Sequence, residues 1–249
     1  MLEIMGNDMG KKILVTGASS GIGRCLAKLL AENGDSVVLV ARNSEELEKT
    51  RGMMKNPERH ICISADITDA SCYAGLFDRA VSDGKKLGGL VHSAGISKVT
   101  PLRGMSPDKI SEIFNINFNA FLILVSYYAK NKYSDGGSIV GISSANAHYP
   151  QKCMSVYAAS KAALEAAVRT MAIELNDKHI RINAVIPGAV NTEMTSVIDK
   201  DALDAIYAKQ LLGCGEPIQI AKVIRFLLED DSSFITGRAL YADGGLLGQ

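Results

Sequence analysis

Residues 12–30 read KILVTGASSGIGRCLAKLL, and this stretch decides the fold. Ile13, Leu14 and Val15 make a short apolar run of strand type that breaks at Gly17. Beyond the glycines, Ile22, Leu26, Leu29 and Leu30 fall at i, i+4, i+7 and i+8, the single apolar stripe of a helix that stops near Asn33-Gly34. Between strand and helix stand Gly17, Gly21 and Gly23, spaced G-x-x-x-G-x-G. Residues without a Cβ let backbone N–H groups approach a diphosphate at the helix N-terminus, so the turn predicts a dinucleotide site.

Outward from this unit the pattern repeats. The runs SVVLVAR, ICISADI, GGLVHSAG, GSIVGISS, IRINAVIPG and RALYADGG follow, with helix-length segments between them. Seven strands alternating with helices predict a doubly wound, Rossmann-type α/β fold: a seven-stranded parallel sheet with helices on both faces. No Pro/Gly/Ser-rich linker, internal repeat or low-complexity tract divides the chain, so residues 11–249 are expected to form one domain. Residues 1–10, MLEIMGNDMG, read as a flexible N-terminal tail. The segment at about 191–217 has helical stretches but no strand, and after the sixth strand it would overhang the carboxyl edge of the sheet as a substrate lid.

Composition narrows the function classes. Of the 249 residues 47% are hydrophobic, enough for a proper core, and 27 basic residues balance 27 acidic ones, so no global field argues for nucleic acid or an anionic membrane. The longest apolar run, AFLILV at 120–125, is too short to span a bilayer. Cys25, Cys62, Cys72, Cys153 and Cys214 form no C-x-x-C pair, which suits free thiols in a reducing cytoplasm, and His60, His92, His148 and His179 lack metal-ligand spacing.

The end of the second strand chooses the dinucleotide. An acid there accepts the adenosine ribose hydroxyls, whereas a cation accommodates a 2′-phosphate. The residues are Ala41 and Arg42, so NADP(H) is expected ahead of NAD(H). Asp66, ending ICISAD, either accepts from the adenine amino group or caps the next helix.

A second constellation lies at 157–161, YAASK. At i and i+4 of a helix, Tyr157 and Lys161 share one face. A free phenol, with its pKa near ~10, is a weak acid/base at neutral pH. A lysine cation about 5 Å away at an effective dielectric of ~20 would lower that by roughly two units. Thirteen residues before Tyr157, IVGISS ends the fifth strand in Ser143 and Ser144, a hydroxyl pair at the same sheet edge as the glycine loop.

TGASSGIG, SS and YAASK, in this order, resemble the short-chain dehydrogenase/reductase family, and the likeness runs from Lys12 to Gly245. The resemblance implies Tyr157 as general acid/base, Lys161 as the group that tunes it and binds the nicotinamide ribose, and Ser144 as donor to the substrate carbonyl, with Ser143 the weaker candidate. It implies Asn117, in FNINFNAF, as anchor of a water relay to the lysine, ahead of Asn115. The cofactor contacts it implies are Gly17, Ser19, Ser20, Gly21, Ile22 and Gly23 at the glycine loop, Asp66 and Ile67 beside the adenine, and Ser93, Ala94 and Gly95. In IPGAVNT, Pro187, Gly188, Val190 and Thr192 match the family's turn over the nicotinamide carboxamide. One departure stands at 92–95, where the family shows N-N-A-G and this chain reads HSAG. His92 reads as a satisfied, partly buried histidine, since Tyr157 already supplies the proton chemistry.

GAVNTEM and SSFITG bring the chain nearest to 3-oxoacyl-[acyl-carrier-protein] reductases. The expected reaction is reduction of a ketone to a secondary alcohol, on an acyl thioester with an acyl carrier protein as the candidate partner. Against the carrier stands Asp135 where that family tends to show a base, with Lys130, Lys132 and Lys178 as compensating cations. A small ketone, sugar or hydroxylated metabolite is the alternative substrate. A non-catalytic cofactor sensor is more remote, since both tyrosine and lysine are present. On the helix YAASKAALEAAVRTMAIEL at 157–175, Ala159, Ala162, Ala163, Ala166 and Ala167 leave room for another helix, and the resemblance implies a homotetramer.

Overall fold

Each apolar run becomes a strand of one parallel sheet. In chain order these are β1 (Lys12–Thr16), β2 (Ser36–Ala41), β3 (Ile61–Ser64), β4 (Gly89–His92), β5 (Gly137–Ile142), β6 (Ile180–Pro187) and β7 (Ala239–Ala242). The computed structural model describes residues 10–195 and 200–248. The sheet order is β3-β2-β1-β4-β5-β6-β7, and Val15 sits opposite Leu39 on one side and Val91 on the other. The direction of winding therefore reverses between β1 and β4, the switch point at whose carboxyl edge such sheets bind ligands.

The helices are α1 (Gly21–Glu32), α2 (Ser44–Gly52), α3 (Cys72–Ala80), α4 (Pro107–Phe114), α5 (Ala120–Tyr128), α6 (Ser155–Glu174), α7 (Lys200–Tyr207) and α8 (Pro217–Leu228). Strand periodicity splits the core in two. Ile13 and Val15 join Leu26, Leu30, Ile220 and Ile224 under α1 and α8, while Leu14 joins Phe77, Phe121, Leu124, Leu164 and Val168 under α3, α5 and α6.

Between α4 and α5 the backbone makes a π-helical turn at Asn115–Asn119, so residues 107–128 run as one helix of 22 residues. That run is long and apolar enough to cross a bilayer, which the sequence reading had set aside on the shorter run at 120–125. Here its apolar face is spoken for: Phe121, Leu124, Val125 and Tyr128 are core residues.

Two expectations about segments are refined. Of the tail expected at 1–10, residues 1–9 lie outside the described residues, and Gly10 packs so closely on Gly34 that an added Cβ would meet its carbonyl at 2.4 Å. Of the lid expected at about 191–217, residues 196–199 lie outside them. The base of that segment is fastened: Val190 bridges Gly215, and the buried Gln210 side chain accepts from Ala189 N at 2.5 Å and donates to Gly213 O at 2.5 Å.

Candidate active site

The carboxyl ends of β1, β4, β5 and β6 open onto one cavity of about 860 Å³. Gly17, Ser19, Ser20, Gly21, Ile22, Arg42, Asp66, Ile67, Ser93, Ala94 and Gly95 line its nucleotide side. Ser144, Tyr157, Lys161, Pro187, Gly188, Val190 and Thr192 line the other. Gly23 and Asn117 stand behind the wall as supports.

The glycine loop is shaped by two close approaches. Gly17 has φ +67°, and a Cβ there would lie 2.7 Å from Ala94 N, while a Cβ on Gly23 would lie 2.2 Å from the Gly17 carbonyl. Side chains at either position would push the loop off β4 or off its own helix. The first free N–H of α1 takes an anion: Gly21 N donates to Glu193 Oε2 at 3.0 Å. That carboxylate is a stand-in for a phosphate at the positive end of the helix, and with the two crowded glycines it shows that the cradle fits a diphosphate.

At the end of β2, Arg42 is exposed at the cavity rim, and its carbonyl accepts from Ser64 Oγ at 2.8 Å, joining the ends of β2 and β3. Asp66 does not cap the next helix, as one reading of the sequence had it. Its Oδ1 accepts from Thr68 N at 2.9 Å and Thr68 Oγ1 at 2.8 Å, and α3 begins only at Cys72. These hydrogen bonds hold its carboxyl below the ordinary carboxylate range, with Arg42 adding a smaller pull.

His92 is a structural histidine. Ile116 O can only accept, so Nε2–H donates to it at 3.0 Å, and Nδ1 accepts from Thr16 Oγ1 at 3.1 Å. Thr16 Oγ1 in turn accepts from Ala94 N at 3.2 Å. The chain of bonds ties β1, the loop after β4 and the π-turn together. Burial, with the Lys161 charge adding to it, pushes His92 down to about 3, so it is neutral.

The π-turn aims Asn117 inward, where it is fully buried. Its Oδ1 accepts from Ile96 N at 2.9 Å, and its Nδ2 donates to Ile96 O at 3.0 Å and to Ser160 Oγ at 3.0 Å. The side chain is a clamp between the loop after β4 and α6. Asn115 contacts Asn119 instead, its Oδ1 accepting at 2.8 Å.

Helix α6 presents Tyr157 and Lys161 to the cavity on one face, as their spacing demands. Ser144 follows β5, its Oγ accepting from Asn146 N at 3.2 Å, and its hydroxyl lies near enough to Tyr157 to favour the phenolate. Ser143 turns away toward Glu165 and out of the reacting pair. The expectation that Lys161 lowers Tyr157 is not met. Burial raises the tyrosine, and Ser144 alone opposes it. The ammonium lies 5.8 Å from the ring centroid and donates to Ile142 O at 2.8 Å, and burial brings its own pKa from 10.5 to about 8. An added Cβ on Gly95 would meet both Asn117 Oδ1 at 3.2 Å and Lys161 Nζ at 3.3 Å, so this glycine makes room for the amine.

Residues 17–247 match a family model described as enoyl-(acyl carrier protein) reductase. A solved short-chain dehydrogenase/reductase, glucose/ribitol dehydrogenase from Brucella melitensis, has the same fold with a TM-score of 0.90 at 31% identity, covering 95% of this chain and 96% of that one. The chain belongs to the short-chain dehydrogenase/reductase family. Curated relatives in it include carbonyl reductase family member 4 of Danio rerio, 35% identical over 96% of this chain and 98% of its own length. The 3-oxoacyl-[acyl-carrier-protein] reductase of Thermotoga maritima is 32% identical over 96% and 98%. This short-chain dehydrogenase/reductase is thus an oxidoreductase that works with a nicotinamide dinucleotide. Reading the sequence did not single out Glu193, Glu165 or Thr16. Of these, only Glu165 left a signal, continuing the 157, 161 helix face by one more turn.

Proposed function

We propose that this short-chain dehydrogenase/reductase uses NADP(H) to reduce a ketone carried on an apolar acyl group, as in a 3-oxoacyl thioester, to the secondary alcohol. The observation that supports it most is one shared cavity: the glycine loop, Arg42, Ser144 and Tyr157 all face it, and Val99, Met154, Leu203, Ile206 and Leu246 give it an apolar far wall.

Gly17, Ser19, Ser20, Gly21, Ile22 and Gly23 would hold the diphosphate, Arg42 the 2′-phosphate, and Asp66, Ile67, Ser93, Ala94 and Gly95 the adenosine. Lys161 would hold the nicotinamide ribose, and Pro187, Gly188, Val190 and Thr192 the carboxamide. When bound, the dinucleotide supplies the hydride. Ser144 orients the ketone oxygen by a hydrogen bond, and Tyr157 hands its proton to the same oxygen as charge develops there. A tyrosine raised by burial still serves, because an alkoxide is far more basic than a phenolate. Lys161, mostly protonated at neutral pH with its value near 8, then stabilises the phenolate that proton transfer leaves. Asn117, by clamping the loop beside Gly95 to α6, keeps the amine's chamber open.

A second reading, a small ketone free of any carrier, is favoured by where the cations lie. Asp135 pairs with Lys86 at 2.5 Å, Lys132 pairs with Asp78 at 2.5 Å, and Lys178 donates to Ala129 O at 2.9 Å. Lys130 lies over the Tyr127 ring, 3.6 Å from its centroid, so all three lysines expected to meet an acidic carrier are engaged by the chain itself. The pairless thiols of Cys25, Cys62, Cys72, Cys153 and Cys214 fit work in the cytoplasm. Following NADPH loss with acetoacetyl-CoA, an acetoacetyl carrier protein, diacetyl and sugars separates the substrates. Tyr157→Phe is expected to keep NADPH binding and lose turnover at least a thousandfold. Retention of most activity would overturn the assignment.

The same face of α6 supports a homotetramer. Ala159, Ala162 and Ala166 are exposed, and Ala163, Ala166 and Ala167, with Phe118 and Leu122, border a groove between α5 and α6 that another helix pair would fill.

A further inference from the structure

Glu165 is a buried carboxylate that the chemistry above does not use. It lies one helical turn beyond Lys161 and two beyond Tyr157 on the same face of α6. A carboxylate can only accept. Its Oε1 accepts from Ser143 Oγ, and its Oε2 accepts from His148 Nε2 at 2.8 Å. Ser143 and His148 bracket the six residues that contain Ser144 and the short 3-10 turn Ala145–Ala147. The backbone of that segment is tied to the sheet at its start, Ser143 N to Val185 O at 2.8 Å, and beyond that it is bonded locally at the turn, Ala147 N to Ser144 O at 3.0 Å, His148 N to Ala145 O at 2.9 Å and Tyr149 N to Ala145 O at 2.7 Å. Those bonds shape the turn but do not fix it relative to α6. Glu165 does so at both ends of the segment, from the helix that carries Tyr157 and Lys161, whereas the longer contact of Ser143 Oγ to Lys161 O at 3.4 Å touches one end alone. Burying a charge is costly unless it is fully hydrogen-bonded, and an apolar residue here would pack without that cost.

We propose that Glu165 is a positioning residue that registers Ser144 against Tyr157. The proposal rests on the reading of Ser144 and Tyr157 as the reacting pair. A displacement of about 1 Å in such a pair can cost on the order of a hundredfold in rate. The Gln side chain offers an oxygen to Ser143 and an N–H to the other His148 tautomer, so it keeps both links, whereas Leu keeps neither.

The test uses the whole enzyme and whichever of acetoacetyl-CoA and diacetyl it reduces faster. Glu165→Leu is expected to lower kcat roughly 10- to 100-fold with the NADPH dissociation constant, read from nucleotide fluorescence, unchanged within about twofold. Glu165→Gln is expected to stay within about fivefold of the parent. Acting through Ser144, the loss should vanish once Ser144 is gone: Ser144→Ala/Glu165→Leu should be no slower than Ser144→Ala. Independently of turnover, hydrogen exchange across 143–148 should quicken in Glu165→Leu while the first turns of α6 stay protected. If Ser144→Ala is slow but Glu165→Leu is not, or if the two losses multiply, positioning by Glu165 is wrong. If Ser144→Ala itself keeps full turnover, the reading of the reacting pair falls first, and the positioning proposal falls with it. If Glu165→Leu fails to fold, His148→Leu, which cuts one of the two links, decides with Glu165→Gln as its control: an unchanged rate and unchanged exchange at 143–148 in His148→Leu would overturn the proposal.

Discussion

Lys161→Met should make this enzyme more stable while disabling it. Burial takes the ammonium from its ordinary 10.5 to about 8. At 1.36 kcal/mol per pH unit, the folded chain at pH 7 carries about 3 kcal/mol of penalty for enclosing the charge. Methionine keeps the unbranched stem and removes the charge, but it also removes the bond to Ile142 O, which offsets about 1 kcal/mol. The variant is therefore expected to gain about 2 kcal/mol at pH 7, seen in urea as a midpoint higher by about 1 M. Between pH 8 and 10.5 the unfolded chain holds the proton that the folded chain has released, so wild-type stability rises with pH through that window and the penalty fades. By pH 10 it is down to about 1 kcal/mol, and the two proteins should converge. Paired urea titrations at pH 7 and pH 10, at one protein concentration, measure the difference directly. A variant less stable than wild type at pH 7, or a difference that stays constant between the two pH values, would refute the reasoning.

His92 gives the opposite limb. Its folded value near 3 lies below the ordinary 6.5, so the unfolded chain gains a proton first and stability falls as the pH drops from 6.5 toward 3. His92→Asn should remove about 3 kcal/mol of that loss between pH 7 and pH 4, measured as the change in the variant's stability difference from wild type. Arg42→Asp should cost NADPH at least tenfold in affinity while leaving NADH within about threefold or improving it. An unchanged preference in paired titrations would remove Arg42 from the 2′-phosphate site. Ala166→Arg, placed in the groove between α5 and α6, should convert a tetramer to a smaller species by light scattering with turnover per chain little changed; a persistent tetramer would show that this face is free in the assembly.

What could be read in advance follows from which interactions are local. The glycine turn and the i, i+4 pair of Tyr157 and Lys161 are set by spacing, and both came out on the expected elements. Spacing gave proximity but not direction, so it did not reveal that the Lys161 amine points to the Ile142 carbonyl or that burial raises Tyr157 against Ser144 alone. NINFN has no feature that separates a π-turn from an α-turn, because the choice is made by distant partners: Ile116 O meets His92, and Asn117 meets Ile96 and Ser160. Asp66 shows the same limit in miniature, since a carboxylate before a helix can serve a cap or a tight turn, and here Thr68 took it. Glu193 reaches Gly21 across 172 positions of sequence, a pairing that no local pattern announces.

That last contact sets one of the chain's own carboxylates where a diphosphate would bind. A negative group rests on the first N–H of α1, so a diphosphate bound at that N–H would take the place of the Glu193 carboxylate. Glu193 and Met194 line one cavity with Ser144 and Tyr157, so the short segment that sets a carboxylate on the helix end also walls the chamber of the serine and the tyrosine.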